Sequence, residues 1–120
     1  MNLSIFKESN LIVESTFFGF LLFKWVKLKQ QNLPFVIHQI KQKGLFGFYL
    51  NYNEHEIYIS QKPFRSPSYM LYLDKVLIAQ IYDAKGIHVT RKYTMKTNTD
   101  DENINLYLLL LFILQLAPIG

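Results

Sequence analysis

The chain contains no cysteine. Disulfide bridges, thiolate zinc sites and cysteine nucleophiles are thereby excluded, and a reducing compartment is compatible. Charge is also scarce. Only 18% of residues are charged, thirteen basic against nine acidic, for a net +4. That mild excess permits contact with an anionic surface but falls well short of the footprint of a nucleic-acid binder. No apolar run reaches the ~20 residues that a transmembrane helix needs. The opening "MNLSIFKESN" cancels its one Lys with one Glu, so it lacks the basic region of a secretory signal. The apolar stretch that follows is broken by Glu14 and Lys24 and has no small-residue cleavage site. It reads better as a long or bulged strand, with Gly19 at the bulge. Catalytic signatures are missing too. His38, His55 and His88 lie in separate segments with no evident Ser or Asp partner, which leaves no legible triad. In "NEHE", Glu54 and Glu56 would face away from His55 on a strand, so a polar turn is expected there rather than a metal site. "GLFGF", residues 44–48, has two glycines but no phosphate-loop context and reads as a turn or bulge.

What is present points to β structure. Half the residues are apolar, and ten Phe and eight Tyr favour pleated, half-buried surfaces. Turn and breaker residues separate short runs typical of strands, which we place near 3–8, 11–15, 17–28, 35–42, 45–52, 55–61, 69–74, 76–83 and 86–97. In 86–97, Ile87, Val89, Arg91, Tyr93 and Met95 alternate with His88, Thr90, Lys92, Thr94 and Lys96, an apolar face with Arg91 its one misfit against a polar-basic one. "DAKG" at 83–86 supplies the hairpin turn to the preceding strand, whose near-continuous apolar run suggests cover on both faces. "KPFRSPS", residues 62–68, is a loop, because neither proline can donate to a ladder.

One helix is expected, over 103–117. Thr99, Asp100 and Asp101 are the N-cap candidates, and the acids suit the positive end of the helix dipole. Nine consecutive apolar residues run from Leu106 to Leu114, and they cover the whole circumference. Such a helix is either a membrane span or surrounded by protein. Its body, Ile104 to Ala117, has fourteen residues. At 1.5 Å per residue that is about 21 Å, too short to span comfortably. The flank is acidic where a cytoplasmic flank tends to be basic. A buried core helix is therefore expected, with Leu106, Leu109, Leu110, Phe112 and Ile113 in the core. The alternative is a small tail-anchored membrane protein with a β-rich cytosolic head.

The order "MLYLDKVLIAQIYD", turn, "VTRKYTMKT", acidic "TDDEN", apolar helix resembles the tubby C-terminal-like superfamily, which includes LURP-one-related and phospholipid-scramblase-like proteins. The matching residues are Asp74, Lys75, Val76, Ala79 and Ile81, then Tyr93 and Met95, then Asp100 and Asp101, within residues 69–117. The resemblance implies an antiparallel β-barrel of about 9–12 strands, mainly β with one helix. The family's barrel is closed, with the hydrophobic C-terminal helix buried inside it; nine or ten strands fit a chain this short more easily than twelve, which leaves a reduced or partly open barrel as the other option. It also suggests phosphoinositide binding through basic residues on barrel strands.

The candidate anion-binding residues are accordingly the basic ones. Lys24, Lys27 and Lys29 surround Trp25; Lys41 and Lys43 lie at a turn; Lys62 and Arg65 flank Phe64; Arg91, Lys92 and Lys96 lie on the clearest strand. They would serve anionic headgroups, with Trp25 or Phe64 entering the interface. The plainer reading is solvated charge on outward strand faces and edges. Tyr and Phe could also stack bases, but core and cross-strand packing is the stronger expectation. Taken together, the residues suggest a non-enzymatic binding or scaffold module spanning residues 1–120, without cofactor or metal. Its expected partners are an anionic phospholipid surface or a protein, with no specific nucleic acid. The expected location is cytoplasmic, peripheral at the membrane.

Overall fold

A computed structural model describes residues 2–7, 10–20, 23–33, 36–44, 47–62, 65–83 and 93–116, with the backbone alone for 2–31. Among the described residues nine strands and one helix follow in chain order: β1 (Asn2–Lys7), β2 (Asn10–Phe20), β3 (Phe23–Gln31), β4 (Ile37–Gln42), β5 (Gly47–Tyr52), β6 (His55–Gln61), β7 (Tyr69–Leu73), β8 (Val76–Asp83), β9 (Tyr93–Thr97) and α1 (Glu102–Leu116). The strands form one antiparallel sheet in strictly sequential order, each paired with its chain neighbour. The join between β3 and β4 is narrow, with Trp25 opposite Lys41 as its register pair.

The alternating pattern decides which face each strand buries. In β6, Ile57 and Ile59 are buried while Glu56, Tyr58 and Ser60 are half-buried on the other side, as their spacing predicts. Phe48, Leu50 and Tyr52 of β5, Leu71 of β7 and Ile81 of β8 join them on the inner face. The helix packs on that face, chiefly against β5 and β6. Tyr107 stacks on Tyr52 with ring centroids 4.6 Å apart. One and a half turns further on, Phe112 meets Tyr69 at 5.0 Å and Tyr93 at 5.1 Å, edge to face. Such aromatic pairs contribute about 0.5–1.5 kcal/mol each beyond their buried area.

Asp101 is the residue that caps α1. Its Oδ1 accepts from the backbone N–H of Asn103 at 2.9 Å and of Ile104 at 3.3 Å. Asn105, a polar residue in an apolar helix, is tied to the end of β9. Its Nδ2 donates to Thr99 O at 3.0 Å and its Oδ1 accepts from Thr97 Oγ1 at 2.9 Å.

Several expectations need correction. The sheet is open rather than a closed barrel. Closure requires the first and last strands to exchange hydrogen bonds, and among the described residues β1 pairs with β2 alone and β9 with β8 alone. An open sheet covers α1 on one side. Leu110 and Phe112 are buried in the core, but Leu109 is 45% exposed and Leu106 and Ile113 are only half-buried. These three share a helical face with Leu116, which is 41% exposed. β8 is not covered on both faces: Ala79 and Ile81 are buried, whereas Val76 is 65% exposed. The register shift in β2 falls between Glu14 and Ser15, and Gly19 pairs regularly with Lys24. The expected "DAKG" turn lies largely outside the described residues, as do the first residues of the 86–97 strand. No helix among the described residues is long and apolar enough to cross a membrane. Six of the side chains of α1, Tyr107, Leu108, Leu110, Leu111, Phe112 and Leu114, are buried in the core.

Candidate functional site

Sheet register brings aromatic and basic residues into line on the outer face. Lys41 stands opposite Tyr49, Tyr49 opposite Tyr58, and Tyr58 opposite Tyr72. The rings of Tyr58 and Tyr72 stack across β6 and β7 with centroids 6.0 Å apart. Tyr58 lies low over Gly47 of β5. A Cβ at position 47 would stand 2.6 Å from Tyr58 Oη and 2.7 Å from its Cε2. Gly47 is therefore required by the close approach of the Lys43 carbonyl oxygen, 2.5 Å from that Cβ, and of the ring, not by its own backbone angles.

These rings line a groove of about 270 Å³, together with Lys43, Glu56, Ser60, Lys62 and Lys75. Lys43 comes from just past β4, Lys62 from just past β6, and Lys75 from the β7–β8 turn. Three lysines against Glu56 give the groove a net charge of +2. Lys43 Nζ is held twice, 3.8 Å from Glu56 Oε1 and 5.2 Å above the centre of the Tyr58 ring. Both contacts are solvent-exposed and worth up to about 1 kcal/mol each. The backbone of Lys62 is fixed by the loop that follows it. Its N–H donates to Ser68 O at 2.7 Å, and its carbonyl accepts from Arg65 N at 3.3 Å.

The turn carrying Lys75 is clamped to β6. Asp74 Oδ1 accepts from Glu56 N–H at 2.9 Å, Asp74 N–H donates to Glu56 O at 2.9 Å, and Asp74 Oδ2 lies 2.7 Å from His55 Nδ1. The backbone N–H of Glu56, then the hydrogen bond from His55, holds the Asp74 carboxyl below its ordinary pKa of 3.8. Nearby, Tyr52 is pushed above 10.0, first by burial and then by the charge of Asp74. His55 thus has the acidic partner that its own surroundings in sequence did not show. Among the described residues no three of His, Asp and Glu converge as a metal site.

No family model, curated protein or solved structure matches the chain.

The candidate residues are distributed unevenly over this arrangement. Lys43 and Lys62 meet in the groove. Lys41 is exposed on β4 in the tyrosine row, and Arg65 is exposed in the loop after Lys62. Lys96 stands apart on β9, 5.1 Å over the ring of Tyr82. Lys24, Lys27 and Lys29 lie on β3, whose backbone alone is described. Arg91, Lys92 and Phe64 lie outside the described residues. The sequence reading missed Lys75, Tyr58, Tyr72 and Ser60 as groove residues. Their available signal was the pairing of "LYLDKVLIA" as a hairpin, which places Lys75 at the tip nearest Glu56.

Proposed function

We propose that this chain is a non-enzymatic binding module of the tubby-like type, built as a reduced, open version of that barrel around α1. Its ligand is the anionic headgroup of a membrane lipid, taken up in the outer-face groove. The observation that carries this reading is the convergence of Lys43, Lys62 and Lys75 from three separate turns onto the stacked rings of Tyr58 and Tyr72. Sheet registry brings together cations that are far apart in sequence. The tyrosines give them an apolar floor, and Ser60 adds a hydroxyl. Lysine side chains near an anionic leaflet contribute about 1 kcal/mol each. Exposed Lys41 and Arg65 would extend the contact beyond the groove.

The test is sedimentation with phosphatidylcholine vesicles, with and without an acidic lipid. Retention is expected on the acidic vesicles alone. It should weaken as salt screens the lysines and weaken further in Lys62→Ala. Equal retention on both vesicle types, or none on either, would overturn the proposal.

A further inference from the structure

Lys75 occupies a backbone position that suits glycine. The β7–β8 turn has two residues, Asp74 and Lys75, with φ of +49° and +71°. Those left-handed angles belong to a tight hairpin turn in which Asp-Gly or Asn-Gly is free of strain. Asp tolerates the first position; a lysine at the second is held against its preference. The chain does use glycine where the angle alone matters. Gly44, between β4 and β5, has the same φ of +71°, and nothing lies within 4 Å of where its Cβ would be.

The anchoring of the turn does not explain Lys75, since Asp74 makes the bonds to Glu56 and His55. The lysine lines the groove instead. Backbone strain that persists at a ligand cleft points to a function for the residue that bears it. The groove's cations also differ in how far they are already satisfied. Lys43 is paired with Glu56 and Tyr58, whereas among the described residues neither Lys62 nor Lys75 has an ion-pair partner.

Resting on the lipid reading above, we infer that Lys62 and Lys75 hold the phosphate of the headgroup, and that Lys75 is kept at its strained position for this purpose. Lys43, already paired, sets the field at the rim and is the lesser contributor. Binding and stability should then pull in opposite directions at residue 75.

The experiment uses the full chain, phosphatidylcholine vesicles containing phosphatidic acid, and thermal denaturation of each variant. Lys75→Gly should keep or raise the melting temperature while vesicle affinity falls about fivefold, the factor equivalent to the ~1 kcal/mol of one lysine at an anionic surface. Lys43→Ala should lose less. Lys75→Asn removes the charge while tolerating the left-handed angle, so it must repeat the loss of binding even if the glycine variant folds poorly. A lower melting temperature in both neutral variants would make Lys75 a structural residue and overturn the inference. So would undiminished binding by Lys75→Gly while the wild type is retained. A wild type that is not retained at all removes the lipid reading itself.

Discussion

Replacing Gly47 with alanine tests the architecture of the groove and the sheet at once. The new Cβ would lie 2.5 Å from the backbone carbonyl oxygen of Lys43, 2.6 Å from Tyr58 Oη and 2.7 Å from Tyr58 Cε2. Ordinary carbon contacts lie near 3.5–4.0 Å, so each neighbour must retreat by about 1 Å. Tyr58 can swing outward, but only by leaving its stack on Tyr72 and its place beneath Lys43. The carbonyl yields less easily, because it is backbone within the β4–β5 connection that the Lys43 N–H to Gly47 O bond closes at 3.0 Å. Overpacking of this kind costs about 1–3 kcal/mol. For a chain of this size the melting temperature should then fall by about 5–15 °C. A double-mutant cycle with Tyr58→Ala, measured by urea denaturation, separates the two obstacles. Removing the ring deletes two of the three close contacts, so the alanine should cost less in that background, with a coupling of about 0.5–1.5 kcal/mol. A Gly47→Ala protein as stable as the wild type would refute the packing described for Tyr58. An identical penalty in both backgrounds would do the same.

Two further outcomes follow from the helix and the turn clamp. Leu110→Asp places an unpaired carboxylate at a position 2% exposed and should abolish folding, at a cost of more than about 4 kcal/mol; Leu109→Asp, one residue away on the open face, should cost less than about 1 kcal/mol. Equal behaviour of the two in urea denaturation would contradict the orientation of α1. In acid, the contribution of Asp74 is complete at neutral pH, because its folded pKa lies below the ordinary 3.8, and it is lost as pH falls below that value. Tyr52 acts at the other end: its raised pKa preserves its contribution below pH 10.0 and forfeits it above. Stability–pH curves of Asp74→Asn and Tyr52→Phe should therefore lose slope in the acid and alkaline limbs respectively, and an unchanged slope in either would remove that residue from the account.

The sequence was readable wherever one residue's neighbours along the chain decide its environment. Alternation in 55–61 places Ile57 and Ile59 inside, and the acids before an apolar run mark the start of α1 to within one residue. It was unreadable where strand pairing decides. The irregularity in β2 sits at Glu14 and Ser15, because a bulge is fixed by the count of residues on two paired strands and not by the presence of a glycine. Leu109 could not be told from Leu110, because an all-round apolar helix does not reveal which side an open sheet leaves bare. His55 and Asp74 are 19 residues apart and meet only when β6, β7 and β8 are in register. The groove is hidden for the same reason: "LDKV" lacks the glycine that normally advertises so tight a turn, so Lys75 reads as one more strand-edge cation.

The sequential strand order has a consequence for how the chain reaches this state. Every strand pairs with the one just before it, so the sheet can grow hairpin by hairpin, with short loops to close at each step and little entropic delay. Its inner face cannot be finished that way. Ile57, Ile59 and Leu71 are covered by a helix that comes after all nine strands in the chain. The inner face therefore stays uncovered until the last element of the chain docks, and a sheet paired before that point would carry the exposed apolar surface of an aggregation-prone species.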